Sequence, residues 1–242
     1  MLIQKKLQNP LLLPRRGIRE AAQACVSVLV VVLLVLFLNA NRGWFHETGG
    51  EKNIKINTSS FTNPSVKNNI DLVVYARQAA KEGWGYVYGT CGQVLSPALL
   101  ESRQKTYPEE VVPYLNLIEQ KWMGRHVTDC AGLIKGYGWL NPKTGAVVYS
   151  TNGVPDLSAN DLYRAAAETG AINTIPELPG VAVWMNGHIG VYTGGGNVVE
   201  AMTTTRGVVT TKLKGRGWSA WLKVPGIQYD VPTQKSGKNI SS

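Results

Sequence analysis

The sequence predicts an α+β domain, helices first and an antiparallel β-meander after, carried behind one apolar N-terminal segment. Three observations carry this expectation. Between about 70 and 170, apolar residues recur at helical spacing. From 181 onward, short β-branched runs alternate with Gly-containing turns. Residues 21–38 are apolar almost without interruption. With 242 residues, 44% of them hydrophobic, the chain is long enough for one sizeable core.

As a helix, residues 21–38 would span ~27 Å at about 1.5 Å per residue, just enough for a bilayer core. Lys5, Lys6, Arg15, Arg16 and Arg19 precede it against Glu20 alone, which places the N-terminus in the cytoplasm. Leu38 is bulky where a cleavage site near Asn39-Ala40 would need a small residue, so an uncleaved signal anchor is expected. The basic head is then 1–20, the transmembrane anchor 21–40, a flexible linker rich in Gly, Asn, Lys and Ser 41–69, the folded extracytoplasmic domain 70–230 and a loose tail 231–242. Cys25 lies at the start of the apolar run and reads as an inert membrane residue.

Within the domain, Leu72, Val73, Ala76, Ala79 and Ala80 predict a helix over 71–82, closed by Gly83. Ser96-Pro97 is an N-cap and first-turn signature. Val112, Leu115, Ile118 and Trp122 predict a helix over 108–122, with Pro113 in its first turns. Helices are also expected over 130–137 and over 160–168, the latter ended by Gly170. Strands are expected at 181–184, 188–192, 198–201, 208–211 and from 221, with the triplet Gly194-Gly195-Gly196 as a hairpin turn.

Several classes of function are excluded. The net charge is +9, from 25 Lys+Arg against 16 Asp+Glu. The basic head holds nearly half of that excess and no basic stripe carries interleaved aromatics, so nucleic-acid binding is not expected. Three Cys, at 25, 91 and 130, do not make a disulfide scaffold. Three His, at 46, 126 and 188, lack the spacing of a metal site. No phosphate-cradling loop or dinucleotide fingerprint appears, and no cofactor is expected.

Cys130 stands where a loop becomes a helix, in Thr128-Asp129-Cys130-Ala131-Gly132. The unpaired amides of a first helical turn favour a thiolate, so a lowered thiol pKa is expected. His188 opens a strand after Asn186-Gly187, and Glu200 falls on the next strand. If the Gly triplet is the tip, the two side chains come near each other across the pair. The carboxylate could then take the second ring N–H and fix the tautomer.

With these residues in order, the chain resembles the NlpC-type cell-wall cysteine peptidases, a papain-like group. Gly85-Tyr86-Val87-Tyr88-Gly89 is similar to the family's tyrosine segment, Asp129-Cys130-Ala131-Gly132-Leu133 to its nucleophile motif, and Pro179-Gly180 with Val181–Trp184 to the strand before its histidine. His188-Ile189-Gly190-Val191-Tyr192 resembles the histidine strand, and Val198-Val199-Glu200-Ala201 the strand of the third residue. The resemblance implies N-terminal helices packed on a central antiparallel sheet. It also implies a Cys130–His188–Glu200 hydrolase, with Tyr86 as an oxyanion contributor and Asp129 at the substrate. The substrate implied is the peptidoglycan stem peptide, at a D-Glu–diamino acid bond.

The chain departs from the pattern in three ways. Glu200 replaces the family's usual His, Asn or Gln and is commoner in the related CHAP group, so a muramoyl–alanine amidase stays open. Ala131 replaces a Ser that helps bind a free stem-peptide amine. Residues 91–126 form an insertion expected to be helical and to shape the groove. A non-catalytic wall-binding module is the alternative outside enzymes, and the anchor would bring either to cell-envelope complex partners. Cys91 reads as a loop residue or a regulatory thiol, and His126 as a competing base.

Overall fold

The computed structural model describes residues 55–229. The expected head, anchor and tail lie outside them. Among the described residues no helix is long and apolar enough to cross a membrane.

Helix α1 (Asn69–Lys81) starts at Asn68, whose side chain accepts the Asp71 N–H at 2.8 Å. It buries Leu72, Val73, Tyr75, Ala76 and Ala79, the face its periodicity predicts. Asp71 is itself buried. Its carboxylate takes the Thr62 N–H and hydroxyl, the Asn63 N–H and the Asn68 amide, at 2.6–3.0 Å. Burying this charge demands such donors, and they come from the segment just before the helix. Ile56 is 3% exposed, and the Thr58 hydroxyl donates to Pro142 O. Residues 55–69, expected as the end of a free linker, are therefore packed on the domain, which begins before residue 70.

The main sheet is antiparallel, in the order β10-β9-β8-β7-β11-β6. Its strands are β6 (Thr169–Ala171), β7 (Ala182–Met185), β8 (His188–Gly194), β9 (Asn197–Thr203), β10 (Gly207–Lys212) and β11 (Ala220–Leu222). The expected meander is present. Gly170, however, does not end a helix: it lies in β6 opposite Trp221. Helix α6 (Ala159–Ala165) has already stopped by then. Together α1 and α5 (Cys130–Trp139) cover the sheet, and the main core lies between them, around Leu72, Ala76, Leu133, Ile134, Ile189, Val191 and Val199.

A second, three-stranded sheet was not legible in the sequence. It consists of β1 (Gly85–Tyr86), β2 (Cys91–Val94) and β3 (His126–Thr128), with β3 in the middle, parallel to β1 and antiparallel to β2. A short hairpin of β4 (Leu140–Asn141) and β5 (Ala146–Val147) follows α5. Between β2 and β3, the insertion is helical as expected. The stretch 108–122, however, is not one helix. It comprises α3 (Pro108–Val111), a 3₁₀ turn (Val112–Tyr114) and α4 (Leu115–Lys121) after α2 (Pro97–Thr106). Pro113 has no N–H to donate and interrupts the ladder, and Val112 turns outward at 51% exposure. Leu100, Val111, Ile118 and Trp122 close over Val87, Leu95 and Val127 as a separate apolar cluster.

The junction of β3 and α5 positions the first turn of α5. Asp129 caps the helix by accepting the Gly132 N–H at 2.6 Å, and its own N–H donates to Thr90 O at 3.0 Å. Gly132 packs so closely here that a Cβ would stand 1.9 Å from Thr90 O. The neighbour is backbone and cannot swing away. Gly132→Ala should therefore cost about 3 kcal/mol or more, a fall in Tm of about 10 °C. Thermal unfolding of the variant beside wild type checks this, and an unchanged Tm would contradict it.

Candidate active site

Cys130 is the first residue of α5 and is 8% exposed. Burial pushes its thiol up to about 12, with the Asp129 carboxylate adding in the same direction. The N–H groups of Ala131, Ile189 and Cys130 itself pull the other way. The lowered pKa expected from the helix terminus is thus reversed. Two or three amide dipoles do not outweigh lost solvation plus an adjacent negative charge. At neutral pH the thiol is protonated.

Strand β8 packs against the helix that carries Cys130. His188 directly precedes Ile189, whose N–H faces the sulfur. Its Nε2 lies 2.7 Å from Glu200 Oε2. The ring's hydrogen bond therefore runs through Nε2 to Glu200, which leaves Nδ1 outside it. The strand register refines the expectation. With Val191 opposite Val199, Glu200 lies opposite Gly190 and meets His188 on the diagonal. Such diagonal neighbours share a face and are within reach of long side chains. Gly190 makes the meeting possible. A Cβ there would come 2.8 Å from Val198 Cγ1 and 3.3 Å from both Glu200 Cβ and the Trp218 ring.

Glu200 has no solvent exposure. Besides His188 it accepts the Thr211 hydroxyl at 2.6 Å and Arg216 twice, through Nε at 2.8 Å and Nη2 at 2.7 Å. Burial opposes its charge, but hydrogen bonds from His188, Arg216 and Thr211 win and hold the carboxyl down at about 2. The Trp218 ring stacks on His188, with centroids 5.5 Å apart and planes 12° apart. Thr211, Arg216 and Trp218 were not found by sequence reasoning. Gly215-Arg216-Gly217-Trp218 reads as a plain turn, and only the folded sheet brings it back over β9.

Cys130 lines a cleft of about 750 Å³. Tyr86 and Asp129 line it too. Burial, followed by the charges of Cys130 and Asp129, raises the Tyr86 phenol well above its usual range, so it stays a neutral donor beside the sulfur. Asp129 already accepts the Gly132 and Gly89 N–H groups, at 2.6 and 2.8 Å. It is first a structural cap. From the insertion, Leu99, Arg103, Thr106 and Tyr107 form one wall of the cleft, where the sequence expects a groove-shaping element. Cys91 also reaches the cleft, with Sγ accepting from Gln93 Nε2 at 3.1 Å, and burial pushes its thiol up to about 11. Both described cysteines are free. His126 is not brought to Cys130's cleft. It is buried on β3, bonded through Nδ1 to Gly92 O at 2.7 Å and stacked on Trp84. Among the described residues no group of three His, Cys, Asp or Glu could hold a metal.

No family model and no curated protein matches the sequence. Solved structures do. The NlpC/p60 domain of the peptidoglycan hydrolase SagA aligns over 63% of this chain and 96% of its own, at 13% identity and a TM-score of 0.37. NlpC2 from Trichomonas vaginalis aligns over 65% of this chain and 48% of its own, at 14% identity and a TM-score of 0.37. The peptidoglycan hydrolase RipB from Mycobacterium tuberculosis aligns over 65% of this chain and 66% of its own, at 16% identity and a TM-score of 0.35.

The charge beside the thiol gives a prediction with a definite sign. Asp129→Asn removes a negative charge that disfavours thiolate while keeping an N-cap oxygen for Gly132. The pH at which iodoacetamide labels Cys130 at half its maximal rate should fall, by about one unit, as read by peptide mapping. A midpoint unchanged or raised would show that the carboxylate does not act on the sulfur.

Proposed function

We propose that this chain is a membrane-anchored, extracytoplasmic cysteine hydrolase that cleaves an amide bond in the stem peptide of peptidoglycan. Two observations support the reading: the His188–Glu200 hydrogen bond on the sheet, and a buried helix-terminal Cys130 that lines an open cleft on the helix packed against that sheet. The motif resemblance supplies the substrate class, and the D-Glu–diamino acid bond is the preferred target. The apolar segment 21–38 would hold the domain at the outer face of the membrane.

The chemistry follows from the geometry. His188 Nδ1 takes the thiol proton as sulfur attacks the carbonyl carbon, and Glu200 stabilises the imidazolium through Nε2–H. The oxyanion forms beside the first-turn N–H of Cys130, with the Tyr86 hydroxyl as a second donor. The C–N bond breaks, and His188 gives its proton to the leaving amine. Water then attacks the thioester, giving a proton to His188. The C–S bond breaks, the thiolate recovers that proton, and a carboxylate leaves. Because the thiol rests protonated, proton transfer belongs to the attack step rather than preceding it.

The full chain should digest purified walls and release fragments whose masses report the bond. New amino termini on the diamino acid would identify the D-Glu bond, and free muramic lactyl carboxylates the amidase. Cys130→Ser and His188→Ala should fall to background. Glu200→Gln should keep some activity, since an amide oxygen still accepts the ring N–H, with the acidic limb of kcat/KM, where the base is lost to protonation, shifted to lower pH. Glu200→Ala should lose ~100-fold or more, the ring being free to turn. Binding of walls without any hydrolysis would sink the reading in favour of a non-catalytic module.

A further inference from the structure

Arg216 reaches the site from the turn between β10 and β11, where Gly215 and Gly217 take φ of 83° and 81° on either side of it. This doubly left-handed backbone folds the turn back over β9 and brings two side chains to one place. The Arg216 guanidinium makes a two-point contact with Glu200, at 2.8 and 2.7 Å. Two residues on, Trp218 stacks on the ring that Glu200 holds, and its own ring lies 5.8 Å from the Arg216 guanidinium carbon. Arg216, Glu200, His188 and Trp218 therefore form a closed circuit. A lone salt bridge at a surface would not need it. Glu200 is fully buried, whereas the Arg216 side chain keeps 26% of its exposure. The carboxylate is thus clamped from the solvent side and bonded to the imidazole on the inner side.

We propose that Arg216 and Trp218 are positioning residues of the His188–Glu200 pair: Arg216 fixes the carboxylate and tempers its pull on the imidazolium, and Trp218 holds the plane of the ring. The proposal rests on Cys130 and His188 being the catalytic pair. It differs from a purely structural role because Glu200 and Arg216 act on His188 with opposite sign. Glu200 favours imidazolium; Arg216 offsets that charge and adds a cation of its own nearby.

The other charged or titratable groups on elements packed against β8 are accounted for. Helix α5 brings Cys130, with Asp129 at its cap, Lys135 paired to Asp156, and Tyr137 bonded to the Asn68 N–H. Helix α6 brings Asp161 and Arg164, paired with each other, and Tyr163, stacked on Trp184. Helix α1 brings Arg77, which donates to Thr193 O far along β8, besides Lys81, the capped Asp71 and the buried Tyr75. Strand β7 brings none. Among the described residues Glu200 alone is bonded to the ring, and besides His188 Arg216 alone among basic side chains is bonded to Glu200.

The test is a titration of the His188 ring nitrogens by NMR in the full-length, detergent-solubilised chain labelled at histidine, assigned with His188→Gln. Arg216→Gln should raise the His188 midpoint, and Glu200→Gln should lower it. In wall digestion, Arg216→Gln and Trp218→Leu should lose kcat by ~10- to 100-fold with KM near wild type, because geometry and not substrate binding is disturbed. A folded Arg216→Gln whose midpoint is unmoved or lowered would overturn the proposal. Should Arg216→Gln fail to fold, Arg216→Lys decides. It keeps the cation but not the two-point contact, so a kcat reduced ~10-fold at an unmoved midpoint supports the proposal, and an unchanged kcat refutes it. A wild-type chain that digests no wall would fail the hydrolase reading itself, and the NMR midpoints would still report the Arg216 effect separately.

Discussion

A fully buried carboxylate governs the architecture around this site. Glu200 sits in the middle strands of an antiparallel sheet, where an unpaired charge would cost several kcal/mol. It is kept ionised by donors from three directions: the imidazole of β8, the hydroxyl of Thr211 on β10 and the guanidinium from the turn beyond. Each donor places a demand on the chain. The imidazole needs Gly190 beside it so that the diagonal contact can close. The guanidinium needs a glycine on each side to turn back. The strand register needs Gly194-Gly195-Gly196 at the tip, all at positive φ. These local features look unrelated in the sequence and become one requirement in the fold.

The nucleophile poses the opposite electrostatic problem. Cys130 is buried next to Asp129, and both effects keep it protonated. The same Asp129 caps α5 and anchors the loop carrying Gly89. The residue that builds the helix terminus thus offsets the thiolate stabilisation such a terminus would otherwise give. The consequence is a division of labour. In the proposed hydrolysis, the thiol is protonated at rest, and attack waits on a base, His188, whose orientation is set by Glu200.

Much of this was legible in the chain, for physical reasons that also explain the rest. The β8–β9 hairpin is written in strong local grammar: β-branched alternation on both sides of three glycines. Its outcome, His188 beside Glu200, needs only that register. The nucleophile's place at the first turn of α5 follows from an Asp N-cap. Arg216 was invisible because its partnership with Glu200 spans a strand and a turn whose geometry no periodicity encodes. The three-stranded sheet was missed because β1, β2 and β3 are two to four residues long and are paired across a helical insertion. Pro113 was seen but underweighted, and it splits the helix it was assigned to. The thiol was misjudged because local sequence shows the helix dipole but not the depth of burial. Asp71, which the helical periodicity does not single out, ties Thr62, Asn63 and Asn68 together.

The central claim is that hydrolysis passes through a thioester on Cys130. The most direct measurement is acid quenching of the full chain during turnover of a defined stem peptide, followed by peptide mapping by mass spectrometry. The account predicts an acyl adduct on the peptide that contains Cys130, with the mass of the substrate fragment carrying the new carbonyl. The adduct should be removed by hydroxylamine and absent from Cys130→Ser. Product formed with no adduct at Cys130, or an adduct carried by Cys91 instead, would contradict it.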